Sequence, residues 1–152
     1  MKRLPILALA VLLGCGSDNN VVPPQTLVAG TWQFSYTNLA GVLEGQAVTC
    51  TPVSLKFSIT QGLTTFSGVQ IGTATLTCST NAGALTSRVI GGETIIQGQI
   101  DGRAILFRFG TISGTQSGIV GGQASINGTA QWVLVVNSVT LTLNGQFIAS
   151  RL

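Results

Sequence analysis

Histidine is absent from this chain of 152 residues, and charged residues make up only 7% of it, against roughly 25% in an ordinary soluble domain. Each absence removes a class of function. Without imidazole, a serine or cysteine nucleophile lacks its usual base, and zinc, copper or iron lacks its usual nitrogen ligand. A serine and lysine pair would have to use Lys56, which the alternation around it turns outward. Acid and base work by paired carboxylates would need two of Glu44, Glu93 and Asp101. Asp101 belongs to a turn signal, and Glu44 and Glu93 read as exposed loops or strand ends. No enzyme, no metal and no cofactor is therefore expected. The formal charge of +3 includes Lys2 and Arg3, in a segment expected to be removed. What remains, Lys56, Arg88, Arg103, Arg108 and Arg151 against Asp18, Glu44, Glu93 and Asp101, is close to neutral and forms no run. No nucleic-acid partner is expected. Aromatic residues, at 6%, form no girdles, which disfavours a transmembrane barrel. Gly91-Gly92 and Gly121-Gly122 precede no helix and so lack the dipole and amide cradle of a phosphate loop.

Cysteine occurs three times. The first ends a stretch that opens with Lys2-Arg3 and runs through apolar residues to Leu13, too short to span a bilayer as a helix. Its last tetrad, Leu12-Leu13-Gly14-Cys15, resembles the lipobox of bacterial lipoproteins. That resemblance implies acylation of the Cys15 thiol, cleavage before it, and a membrane partner reached through the lipid; an ordinary signal peptide is the alternative. Gly16 in place of an aspartate resembles the pattern that sorts such proteins to the outer membrane of the cell envelope. The expected organisation is a signal peptide over 1–14, a lipidated cysteine with a flexible polar tether over 15–26, and one folded domain over 27–152. Cys50 and Cys78 are then a leftover pair in an exported domain, most simply a disulfide. A redox or metal pair would need closer spacing or histidine.

Strand patterns fill the rest, with no sustained helical period. Trp32, Phe34 and Tyr36 alternate with polar residues over 28–36, and Leu55, Phe57 and Ile59 do so beyond a glycine-containing loop at 38–45. Gln61-Gly62 turns the chain back into a strand over 64–71, where Gly68 suggests a bulge. Residues 74–78 continue it briefly, and 79–84 read as a loop. From Thr94 onward, Asp101-Gly102, Asn127-Gly128 and Asn144-Gly145 are signals for two-residue hairpin turns. The first would pair Ile100 with Arg103, Gly98 with Ile105 and Ile96 with Phe107, placing Ile96, Ile105, Phe107 and Phe109 on one face. A further turn at Asn137-Ser138 would pair Val136 with Val139, Leu134 with Leu141 and Trp132 with Leu143. The inward face would then hold Trp132, Leu134, Val136, Val139, Leu141, Leu143 and, across the last turn, Ile148. Val133, Val135, Thr140 and Thr142 would face out. Eight to ten short strands joined by tight turns predict an all-β fold, an antiparallel up-and-down meander closed into a small barrel, with a β-sandwich as the alternative.

Gly30-Thr31-Trp32 resembles the opening of the calycin barrels, the lipocalin and avidin families, in which a Trp near the start of the first strand closes the barrel base. The run Gly121-Gly122-Gln123-Ala124-Ser125-Ile126-Asn127, followed by Gln131-Trp132-Val133-Leu134, is similar to a late stretch of avidins, where a Trp reaches biotin in a neighbouring subunit. By this resemblance Trp132 is that residue. Phe34 and Tyr36 stand where avidins place small polar biotin contacts, and the final strands contain no aspartate. The expectation is an accessory binding or interaction module, with Trp32, Phe34 and Trp132 lining a site for a small apolar ligand. The alternative is a filled barrel meeting another envelope protein.

Overall fold

The computed structural model describes residues 26–152; the lipobox, Cys15 and nearly all of the tether lie outside them. Eleven antiparallel strands form one sheet among the described residues: β1 (Gly30–Leu43), β2 (Gln46–Cys50), β3 (Val53–Gln61), β4 (Thr65–Ile71), β5 (Thr73–Thr80), β6 (Gly83–Gly91), β7 (Thr94–Asp101), β8 (Ala104–Phe109), β9 (Thr115–Gly121), β10 (Ser125–Val136) and β11 (Val139–Arg151). The order β1-β3-β4-β7-β8-β9-β10-β11 closes on itself through pairing of β11 with β1. This is the expected all-β meander, an eight-stranded closed barrel consistent with the calycin architecture. The other three strands carry three staves of the wall upward. β2 runs into β3 across Thr51-Pro52, β4 into β5 across Gly72, and β6 into β7 across Gly92-Glu93. Proline has no amide to give the ladder, and Gly72 and Gly92 take positive φ (75° and 70°), so each stave bends there. Above the bends β2 pairs with the far half of β1, β5 with β2, and β6 with β5. The chain is thus up-and-down throughout, and the Cys50–Cys78 disulfide links β2 to β5 in this upper wall.

Several local expectations need correction. Asn137-Ser138 makes its turn, with positive φ at both residues (50° and 68°), and the register of β10 with β11 is as anticipated. Asn127-Gly128 and Asn144-Gly145 lie instead within β10 and β11. A Cβ on Gly128 would lie 2.5 Å from Phe147 ring atoms, and one on Gly145 would lie 2.8 Å from the Thr37 carbonyl. These glycines serve close approach between paired strands, not reversal. The β9–β10 turn falls at 122–124, where Gly122 has φ 65°. Because β11 never reverses, its parity persists: Phe147 and Ala149 point in, and Ile148 is 57% exposed. Trp132, Leu134, Val136, Leu141 and Leu143 are buried as expected, while Val139 is half-buried at the hairpin end.

The hairpin of β7 and β8 turns one residue later than anticipated, with Asp101 opposite Ala104 and Ile100 opposite Ile105. Nearer the rim Gln97 (φ 52°) is the extra residue of a bulge, so Ile95 is buried and Ile96 is not. The irregularity anticipated at Gly68 sits on this neighbouring strand, and Gly68 itself keeps register with β3. A second bulge, at Asn38 (φ 55°), shifts β1 against β11 and switches its inward set from Trp32, Phe34 and Tyr36 to Leu39. The loop expected over 38–45 is therefore strand up to a Glu44-Gly45 turn, and most of the loop expected over 79–84 is the β5–β6 hairpin.

The barrel register has a direct energetic reading. Leu141→Ala is expected to lower stability by about 2–5 kcal/mol through the cavity it leaves, and Thr142→Ala by under about 1. Equal denaturant midpoints for the two variants would contradict the register.

Candidate functional site

Three constellations bear on function: the barrel base, its interior and the bend where β6 becomes β7. At the base, Trp32 is fully buried and its indole Nε1 donates to the Val28 carbonyl at 2.8 Å. Gln61, at the end of β3, clamps the incoming chain: its Oε1 accepts from the amides of Val28 (2.5 Å) and Ala29 (3.1 Å), and its Nε2 donates to the Thr26 carbonyl at 2.8 Å. From the other side, the Arg151 guanidinium donates to the carbonyls of Leu27 (3.0 Å) and Ala29 (2.8 Å) and lies 5.1 Å from the Trp32 ring. Trp32 is thus buried beneath the incoming chain, at the end of the barrel where β1 begins.

The interior is aromatic. Phe34 of β1 meets Phe107 of β8 with ring centroids 5.7 Å apart. These strands are four staves apart in an eight-stave wall, so the contact spans the barrel. Around it, Phe34 also touches Phe57 and Phe147 (5.7 and 5.5 Å), Phe57 stacks on Phe109 (5.3 Å), and Tyr36 packs on Trp132 (4.8 Å). An eight-stranded barrel is just wide enough for side chains to fill, and here rings from opposite walls meet. Gly118 and Gly128, opposite each other on β9 and β10, make room for Phe147, since a Cβ on either would crowd its ring. The three residues expected at an apolar-ligand site, Trp32, Phe34 and Trp132, are all fully buried. The structure separates Trp32, at the base, from Trp132, which packs inside its own barrel against Tyr36 and Phe109. The Tyr36 hydroxyl and Trp132 Nε1 have no hydrogen-bond partner among the described residues, and burial pushes the Tyr36 phenol well above its ordinary value.

Glu93 corrects another expectation. It is 1% exposed rather than a solvated strand end. Its carboxylate accepts from the Thr111 amide (3.0 Å) and from the Thr111 hydroxyl, tying the β8–β9 loop to the β6–β7 bend. Its backbone exchanges bonds with Gln70: the Glu93 amide donates to Gln70 Oε1 at 3.0 Å, and the Gln70 amide donates to the Glu93 carbonyl at 2.8 Å. Gln70 Nε2 then donates to the Ile90 carbonyl at 3.1 Å. The available signal was a carboxylate between two apolar strands in a nearly uncharged chain; its partners, Gln70 and Thr111, carry no pattern of their own. Glu44 and Asp101 are exposed at separate turns, so the barrel does not bring the three carboxylates into a pair, and the described residues include no group of three or more His, Cys, Asp or Glu placed to hold a metal.

No protein-family model matches the chain, and no curated protein matches it at a significant level.

Glu93→Ala is expected to cost about 1–3 kcal/mol, because the bonds that the buried Glu93 carboxylate accepts from the Thr111 amide and hydroxyl are lost; a change below about 0.5 would show that the bend holds without it. Tyr36 yields a pH test. As a group whose folded pKa is raised, it leaves stability intact below the unfolded tyrosine value of about 10 and erodes it above, where only the unfolded chain ionises. Tyr36→Phe is expected to flatten that alkaline decline without loss at neutral pH, as read by denaturant midpoints against pH. Because Tyr36 is the sole tyrosine, phenolate absorbance reports this group alone.

Proposed function

We propose that this is a lipid-anchored protein of the bacterial cell envelope whose filled barrel acts from its outside, as an interaction module for another envelope component. The observation that carries the choice between ligand and partner is the Phe34–Phe107 contact across the barrel. An apolar ligand would have to displace rings that already bury one another. The outer wall supports a partner role. It is faced by cross-strand hydroxyl pairs, Ser35 with Ser54 and Thr60 with Ser67 at 3.0 Å, Ser117 with Thr129 at 3.1 Å, and by exposed Val69, Val135, Ile119 and Ile148. A wall with so little charge has weak defence against self-association when free and concentrated, and tethering to a surface relieves that problem. The anchor itself rests on Leu12-Leu13-Gly14-Cys15, and the outer membrane on Gly16. Catalysis forms no part of this reading, since the chain lacks histidine.

Cys15→Ser is expected to move the protein from the membrane fraction to the soluble fraction; a variant that still sediments with lipid refutes the anchor. Native mass spectrometry of protein purified from its host tests the second half: a bound protein partner is expected, and a retained apolar small molecule would overturn the filled-barrel reading.

A further inference from the structure

The bulge of β7 opens a groove of about 560 Å³ on the outer wall of the barrel. Gln97 has no opposing residue on either neighbour, because the ladder to β4 steps from Ile95 to Gly98 and the ladder to β8 steps from Ile96 to Gln99. The backbone at this point is therefore outside regular pairing in the middle of a closed wall. Gln97 also holds φ 52°, a left-handed conformation that favours glycine. The adjacent Gly98 answers a different need, since a Cβ there would lie 2.2 Å from the Phe66 carbonyl. The strain at Gln97 thus buys the fold nothing that glycine would not supply, and its product is a carboxamide at the lip of a concavity.

The groove has one charged side chain, Arg108, surrounded by the carboxamides of Gln97 and Gln99 and the hydroxyls of Thr65 and Thr115, with Leu106 as its exposed apolar part. Two other arginines of the barrel are engaged in structure: Arg103 Nε donates to the Val120 carbonyl at 2.7 Å, and Arg151 closes the base. The Arg108 guanidinium has no hydrogen-bond or ion-pair partner among the described residues, while its backbone stays in the ladders to β7 and β9. A guanidinium presents a planar fork that matches the two oxygens of a carboxylate, and amide and hydroxyl groups around it satisfy further polar atoms. No acidic side chain lines the groove to neutralise it.

We propose that this groove binds a small organic carboxylate, gripped by the Arg108 fork and oriented by Gln97 and Gln99, with a short aliphatic portion against Leu106. The site is independent of the anchor and of the filled interior, so its failure would leave both readings standing. The test uses the full chain, isotope-labelled in detergent, with backbone amide shifts followed during titration with butyrate, with N-acetyl-alanyl-alanine bearing a free C-terminal carboxylate, and with the neutral C-terminal amide of that peptide. Saturable shifts confined to residues 97–99 and 106–108 are expected with a carboxylate and none with the amide. Equal binding of butyrate and peptide assigns the site to free organic acids; tighter binding of the peptide assigns it to a chain terminus. Arg108→Gln should weaken binding about tenfold or more, and Arg108→Lys, which keeps the charge without the fork, should fall between. Gln97→Gly should weaken binding while raising the denaturant midpoint, a split that a purely structural role for Gln97 would not produce. Absence of saturable shifts with both carboxylates, or unchanged binding in Arg108→Gln, overturns the proposal.

Discussion

Rings meeting across the barrel are the constraint from which the rest of this architecture follows. Phe34, Phe57, Phe107, Phe109, Phe147, Tyr36 and Trp132 form a continuous set of contacts between opposite walls. Interiors are packed to crystal-like density, so a wall can move inward only as far as its neighbours' rings allow. Glycine then becomes necessary wherever a ring comes close against the backbone, as Phe147 does at Gly118 and Gly128. The same filling leaves the outer wall, with Val69, Ile119, Val135 and Ile148, as the apolar surface that meets solvent.

A wall that must wrap such a core cannot be perfectly regular. Bulges at Asn38 and Gln97 each add one residue and exchange the inward and outward sets of a strand. Above the rim, the bends at Thr51-Pro52, Gly72 and Gly92-Glu93 redirect three staves, and at the last Glu93 accepts from the amides of Thr111 and Gln70 and donates its own amide to Gln70 Oε1. Departure from regularity thus occurs at defined points. The side chains of both bulges are exposed, and the one at Gln97 lines a groove together with the Arg108 guanidinium.

What could be read in the amino-acid sequence followed from how many physical explanations each residue admits. Asn137-Ser138 lies between strands whose leucines and threonines alternate, and only one register buries Leu141 and Leu143, so turn and face were both legible. The closed all-β architecture followed from many such segments, and the Cys50–Cys78 bond from there being one pair left. Asn127-Gly128 and Asn144-Gly145 misled because glycine answers two needs, positive φ and close approach, and sequence does not distinguish them. From that ambiguity came the misplacement of Ile148. Ile95 and Ile96 are adjacent and chemically identical, so only the bulge decides which one is buried. Glu93 was unreadable for another reason: its burial depends on Gln70 and Thr111, each about twenty residues away and without distinguishing pattern. Trp32, Phe34 and Trp132, expected to line a ligand site, are all buried, but an inward-pointing pattern does not reveal whether rings from the far wall already occupy the space.

The clamp at the base has a mechanical consequence. Residues 26–29 are gripped by Gln61 from β3 on one side and by Arg151 from β11 on the other, and the chain then enters β1, which pairs with both of those strands. Tension arriving through the N-terminal segment therefore runs along β1, parallel to two ladders at once. Their hydrogen bonds are loaded in shear and must yield together, whereas a strand pulled sideways from an edge would open one bond at a time. Resistance to such a pull is governed by the rate of unfolding rather than by equilibrium stability, and the base clamp sets the direction in which that rate is slow.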